Sequence, residues 1–369
     1  MSSAPGCIWG FAVFWWSLGA WAGSQPLVRV YLGPLDRPVL IQGDHVKCQA
    51  GTWGRRGRTR EQVQLAPDGK KVQVGRERVT PPVECQAQGP IKISGRAYRG
   101  TLRVVGGSSL SLINVVLLED YLAGVINSEI SSAWPEEAVK AQAILARTYT
   151  VYRTQQRREA EFDLEATVRD QVYQGLAVED EDARRAVAAT RGLILAYAGE
   201  PIEALYHSAC GGRTESPEWI WGGQPKPYQQ SVTCGFCEDA PVYFWRYPAA
   251  GEADPAELGR RLGLGEPVVE LKVLVRSPSG RAAQIRMAGR HSAKVLSGRE
   301  FREALGRDAV KSTLFEIQPE TAGFLILGSG SGHGAGMCQW GARGMAEAGR
   351  TSEEILQHYF PGTEIQKLY

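Results

Sequence analysis

Short apolar runs of period two fill the first third of the chain. LVRVYL, PVLIQG, VQVG, IKIS, GTLRVV and LSLINVV, between Leu27 and Asn114, alternate with glycine, proline and charged turns, which predicts many short strands. From about Glu119 the period changes. Pro135 suits the first position of a helix, where its missing N–H costs nothing, and Glu136 and Glu137 then fall in a first turn that favours negative charge. Ala138, Ala141, Leu145 and Thr148 recur at three- and four-residue intervals, so a helix with one small-residue face is predicted from Pro135 onward. Further along, DEDARRAVAATRGLIL predicts an amphipathic helix and Tyr197 to Tyr206 two strands. Pro255–Leu262 and Ser297–Leu305 read as helices around the strands VVELKVLVRS and AAQIRMAG. The expected class is α+β: a β-rich part over 23–115 packed on a mixed α/β region over 116–369 that forms a groove, together one unit.

Ahead of the strands lies an apolar run, Ile8 to Ala22. It is shorter than the roughly 20 residues of a bilayer span, and Ala20-Trp21-Ala22 supplies a small-x-small cleavage signal. Residues 1–22 therefore read as a signal peptide of an exported, cell-envelope or extracellular protein. The leading MSSAPGC carries no Lys or Arg, and the alternative is an uncleaved anchor, the one case that would place a membrane among the partners. Charge is balanced, with 42 Lys and Arg against 40 Asp and Glu, which argues against nucleic acid as a partner. One local excess, Arg55, Arg56, Arg58, Arg60, Lys70, Lys71, Arg76 and Arg78, reads as a solvated face, with weak attraction to anionic wall polymers as the alternative.

Glu129 falls between two predicted helical segments, just ahead of Trp134 and Pro135. By position alone a solvated loop acid is the more ordinary reading. The alternative is a catalytic acid whose pKa apolar neighbours raise. Six cysteines follow the leader. His207 and Cys210 stand three apart in YHSACGG, as do Cys234 and Cys237 in CGFC, and two such half-sites fit a structural zinc with three thiolates and one imidazole. A disulfide from Cys210 into the CGFC pair is the competing reading. Cys48 and Cys85 lie within the β-rich part. The glycine-rich GSGSGHGAGMCQWGARGMAEAG lacks the lysine of a P-loop, so it is a weak phosphate signal.

The stretch LLEDYLAGVINSEISSAWPEEAVKAQAILARTYTVYR resembles the signature of the stage II sporulation protein D family, peptidoglycan lytic transglycosylases. The likeness extends through YRGTLRVVGGSSLSLINVV, YHSACGGRTES, GHGAGMCQWGARGMAEAG and EEILQHYFPGT. It implies that Glu129 is the catalytic acid and base for cleaving between N-acetylmuramic acid and N-acetylglucosamine with 1,6-anhydro ends. It also implies a groove lined by Gln142, Arg147, Tyr149, Gln171, Tyr173, Ser208 and His333, with peptidoglycan glycan strands as substrate. Similar domains occur in proteins that enhance an N-acetylmuramoyl-L-alanine amidase, so a non-catalytic wall-binding enhancer working with other wall hydrolases is the alternative. In the family pattern serine is usual where Cys210 and Cys338 stand. Glu119 and Asp120, close to Glu129, read as structural acids at a helix start.

Overall fold

A computed structural model describes residues 25–53 and 59–369. The apolar run Ile8–Ala22 and Arg55, Arg56 and Arg58 of the basic cluster lie outside the described residues. Among the described residues no helix is long and apolar enough to cross a membrane. Helices and strands are both abundant, and the class is α+β.

The period-two runs form ten strands from Leu27–Pro34 to Leu110–Leu117, and they belong to one large sheet. Their inward positions, Val28, Val30, Ile41, Val104 and Leu112 among them, are buried while the intervening residues are partly exposed. Pairing is antiparallel, except that the short strand Leu164–Glu165 joins Leu27–Pro34 in parallel and ties the later chain to the sheet's edge. Cys48 and Cys85 are directly opposed across two strands and form a disulfide.

Strand Leu110–Leu117 runs straight into helix α1 (Leu118–Glu129), which buries Tyr121, Leu122, Val125 and Ile126. It stops because Ile130 turns to extended backbone and Pro135 disfavours a helical Trp134. Helix α2 (Glu136–Gln156) follows and is buried on nearly every side from Ala138 to Val151. Such a helix has no solvated face, so its polar residues must bond inside the protein. Thr148 does so, donating to the Ile144 carbonyl at 2.7 Å and accepting from Leu195 N–H at 2.9 Å. Helix α3 (Glu181–Ala189), capped by Asp180, packs on α1 and α2.

Within 116–369 the chain builds two cores. The first is shared by the large sheet and the helices around α2. The second runs from Trp245 to Ile326 and includes Leu258, Ile285, Phe301 and Phe315. A short helix α4 (Glu218–Trp221) precedes it. The second core holds two three-stranded sheets with α5 (Pro255–Arg261) and α6 (Gly298–Leu305), the latter closed by a Ser297/Glu300 capping box. Helices α7 (Gln339–Glu347) and α8 (Ser352–Tyr359) then return to α2 and the first core.

Candidate functional site

Glu129 is the last residue of α1, rather than part of the connection that follows. Its backbone is fixed from both directions. Asn127 accepts from Ser132 N–H at 2.8 Å, and the Asn127 amide and Ser132 hydroxyl both donate to Asp180, at 2.8 and 2.6 Å. The carboxylate accepts from Val172 N–H at 3.0 Å and from the Tyr206 hydroxyl. The buried Gln171 amide donates to the Tyr206 oxygen at 3.0 Å, while its carbonyl accepts from Tyr121 and Thr150, each at 3.0 Å. With its oxygen so engaged, Tyr206 points its own proton at Glu129. Burial pushes the Glu129 carboxyl above the usual glutamate range, outweighing the Val172 and Tyr206 hydrogen bonds that pull it down. The negative end of the α1 dipole acts in the same upward direction.

Glu129 opens into a cavity of about 490 Å³ between the two cores. Tyr149, Val172, Leu205 and Tyr206 line it from the first core, and Arg281–Ala283, Ser297, Gly298, Arg299, Arg302 and Arg307 from the second. Trp219, Ile220 and Trp221 stand at its rim; Trp219 and Trp221 are 43% and 46% exposed. Among the described residues three other carboxylates reach the cavity, and each is already engaged. Asp170 is tied to Arg153 and Arg157 at 3.1 and 2.7 Å; burial pushes its carboxyl up, but the Glu165 N–H, Arg157 and Tyr149 hold it below the usual range. Glu215 accepts from Ser277, Ser279 at 2.8 Å and Ser216 N–H at 2.9 Å. Glu303 pairs with Arg307 at 2.7 Å.

Of the residues that the resemblance placed along the groove, Tyr149 and His333 line the cavity. Tyr149 donates to Asp170 at 2.9 Å, and His333 accepts from Ala335 N–H at its Nδ1 at 3.1 Å, which leaves the proton on Nε2. Burial, with Arg302 and Arg281 nearby, takes His333 down to about 4. Gln171 acts from behind, through Tyr206. The others are corrected. Arg147 is wholly buried in an ion pair with Glu119 at 2.7 Å and donates to the Leu193 and Val187 carbonyls. Gln142, fully buried, accepts from Gln339 at 3.4 Å and joins α2 to α7. Tyr173 donates to Asn114 at 2.8 Å beneath the large sheet. Ser208 offers its carbonyl to Trp340 N–H. None of these four lines the cavity. Trp134, expected beside Glu129, packs edge-on against Trp340 instead.

The residues expected as metal ligands group differently. Cys210, Cys234 and Cys237 come together, but their fourth neighbour is Cys338, not His207. His207 lies 4% exposed with Nδ1 3.0 Å from the Ala335 carbonyl and stands outside the group of four sulfurs. The glycines of GSGSGHGAG serve this neighbourhood: Gly336 has φ +70°, and a Cβ there would meet the Leu205 carbonyl at 2.0 Å. They bring the glycine-rich turn against strand Tyr206–His207, which pairs in parallel with Met337–Cys338.

Several cavity residues were missed by the sequence reading: Trp219, Trp221, Glu215, Arg281, Arg299 and Arg302. The signal for the tryptophans was PEWIWGG, two large aromatics in a polar, glycine-flanked stretch that offers them no core.

Comparison with known proteins finds a family model described as stage II sporulation protein matching residues 106–197, and a domain of unknown function matching 235–336. Glu129, Tyr149 and Val172 fall in the first segment, and Arg281, Arg302 and His333 in the second, so the cavity forms where the two meet. An uncharacterised protein of Brachyspira hyodysenteriae is 33% identical over 76% of this chain and 75% of its own. Stage II sporulation protein D of Bacillus subtilis is 33% identical over 68% of this chain and 74% of its own. The amidase enhancer of Bacillus subtilis is 30% identical, over 66% of this chain and 40% of its own.

Proposed function

Because the chain belongs to the stage II sporulation protein D family, we propose that it works on the bacterial cell wall as a peptidoglycan lytic transglycosylase with Glu129 as general acid and base. The observation that carries this reading is the solitude of Glu129. A hydrolase of the usual kind needs two working carboxylates, whereas here Glu129 has its carboxyl raised by burial and the cavity's other acids are bound up in ion pairs or hydrogen bonds. One acid is enough for transglycosylation. Glu129 gives its proton to the glycosidic oxygen as the bond from that oxygen to C1 of N-acetylmuramic acid breaks. The 6-hydroxyl of the same sugar then bonds to C1 and returns its proton to the carboxylate, leaving a 1,6-anhydro end and a free 4-hydroxyl, with no water consumed.

The remaining lining suits a glycan without peptide. Trp219 and Trp221, both partly exposed, supply aromatic surface of the kind on which sugars stack. Arg169, Arg299, Arg302 and Arg307 line the cavity, and the lactyl carboxylate of peptide-free N-acetylmuramic acid is an anion they complement. Export through the leader would bring the protein to such strands, in the envelope or outside the cell. Incubating the purified chain with peptide-free strands is expected to release products with anhydro ends, read by mass spectrometry. Reducing ends would make it a hydrolase. The amidase enhancer relative supports a second reading, in which the cavity binds glycan and assists a separate amidase. Intact strands together with a stimulated amidase would favour that one.

The hydrogen bond from Tyr206 gives a pH signature. It favours the carboxylate, so Tyr206→Phe should raise the Glu129 pKa and move the alkaline limb of kcat/KM to higher pH, by about one unit. A limb that stays put or moves down would remove Tyr206 from this role.

A further inference from the structure

Four buried cysteines take no part in the glycan chemistry, and they meet at one point. Cys210 follows strand Tyr206–His207, Cys234 and Cys237 sit on the loop leading to the second core, and Cys338 is the N-cap of α7. All four sulfurs lie within 4.8 Å of one another, with Cys210 and Cys237 3.5 Å apart. Four thiolates around zinc, with bonds of about 2.3 Å, have sulfur–sulfur edges of about 3.8 Å, so the observed spacings bracket a zinc tetrahedron. The Cys48–Cys85 pair is already joined as a disulfide, while these four sulfurs converge as a group.

Their surroundings suit thiolates. Cys338 Sγ accepts from Cys210 N–H and Gly341 N–H, each at 3.2 Å, the second at the positive end of α7. Cys234 Sγ is 3.1 Å from the Tyr359 hydroxyl. Gly341 keeps this packing possible, since a Cβ there would meet the Tyr359 oxygen at 2.1 Å and Cys234 Sγ at 2.5 Å. Arg281, wholly buried, donates to the Cys210 carbonyl at 2.6 Å. Four thiolates outweigh one divalent ion, and a buried guanidinium has the sign that offsets the excess.

We propose that Cys210, Cys234, Cys237 and Cys338 bind one zinc ion as a closed, structural site. With all four positions taken by protein sulfur, the ion has no open position for substrate or water. Its work is mechanical. It fastens together the strand bearing Tyr206, the glycine-rich turn bearing His333 and the entrance to the second core, and so fixes the wall beside Glu129. On binding, each thiol releases its proton to solvent as its sulfur bonds to the metal, so affinity falls as pH drops. The inference does not depend on the glycan reading, and neither its success nor its failure decides that reading.

The test begins with the full purified chain, unreduced and never exposed to chelator. Elemental analysis is expected to give about one zinc per chain. X-ray absorption is expected to give four sulfur neighbours at about 2.3 Å and no nitrogen at about 2.0–2.1 Å. Thiol counting after denaturation should find four free thiols at these positions. Stripping the metal at low pH should lower the Tm by on the order of 10 °C, restored by added zinc. His207→Gln should keep its zinc and Cys338→Ser should lose it. If Cys338→Ser does not fold, the absorption spectrum of the unaltered chain still distinguishes the ligand sets. A disulfide mapped among the four, iron in place of zinc, chain that neither carries nor takes up zinc, or a nitrogen neighbour with zinc lost in folded His207→Gln would each overturn the assignment.

Discussion

Glu129→Gln should cut cleavage of peptide-free glycan strands by at least about 100-fold while leaving strand binding and the fold in place. The amide matches the carboxyl in size and can still accept from Val172 N–H, the bond that holds the carboxyl at 3.0 Å, but it has no proton to give the leaving oxygen. Stability gives a second, independent readout. Burial raises the folded-state pKa of Glu129 above its unfolded value, so the ionised form is penalised in the fold. That penalty is absent below the unfolded pKa, grows as pH rises through the window between the two, and is fully present above the folded one. The variant's Tm should therefore be at or above that of the parent at neutral pH, and any advantage should shrink as pH falls below the ordinary glutamate range, where the parent side chain is protonated as well. Near-normal turnover in the variant would take catalysis away from Glu129. Lost turnover with a lower Tm would point to a structural defect instead.

How much of this was legible in the chain depended on range. The strands of the large sheet could be read because one face is buried and the other solvated, which writes a period of two into runs such as LSLINVV. The start of α2 could be read because Pro135 and two acids mark it. The second core could not: its strands are short and split between two sheets, and nothing in the sequence between Phe244 and Ser329 says that they enclose a hydrophobic centre of their own. Glu129 was an ambiguous acid until the resemblance singled it out, because its burial comes from Val172 and Tyr206, which are far along the chain. The cysteine cluster was legible only in part. Spacing paired Cys234 with Cys237 and His207 with Cys210, while the fold groups Cys210, Cys234 and Cys237 with Cys338 from beyond the second core. Local spacing finds ligands on one turn, and it carries no information on those delivered by a strand pairing such as Tyr206↔Met337.

Arg147 shows the same limit from the side of stability, and it carries the second large effect. A resemblance that lines the groove with Arg147 predicts weaker substrate binding on substitution and an unchanged fold. The structure predicts the reverse. Arg147 has no exposed surface, reaches Glu119 at 2.7 and 2.9 Å, and serves the carbonyls of Val187 and Leu193. Glu119 in turn accepts from the hydroxyl of Tyr369, so this one ion pair joins α1, α2, the end of α3 and the chain terminus. Replacing Arg147 by methionine keeps much of the side chain's volume but leaves a largely buried carboxylate and two carbonyls without their donor, at a cost of about 3–5 kcal/mol. Thermal unfolding should fall by roughly 6 °C or more. Adding Glu119→Gln should recover part of the loss, since the stranded charge is then gone and the two sites couple directly. KM for glycan strands, measured on the folded fraction below the new Tm, should stay close to the parent value. An unchanged Tm with a raised KM would return Arg147 to the groove and overturn its place in the core.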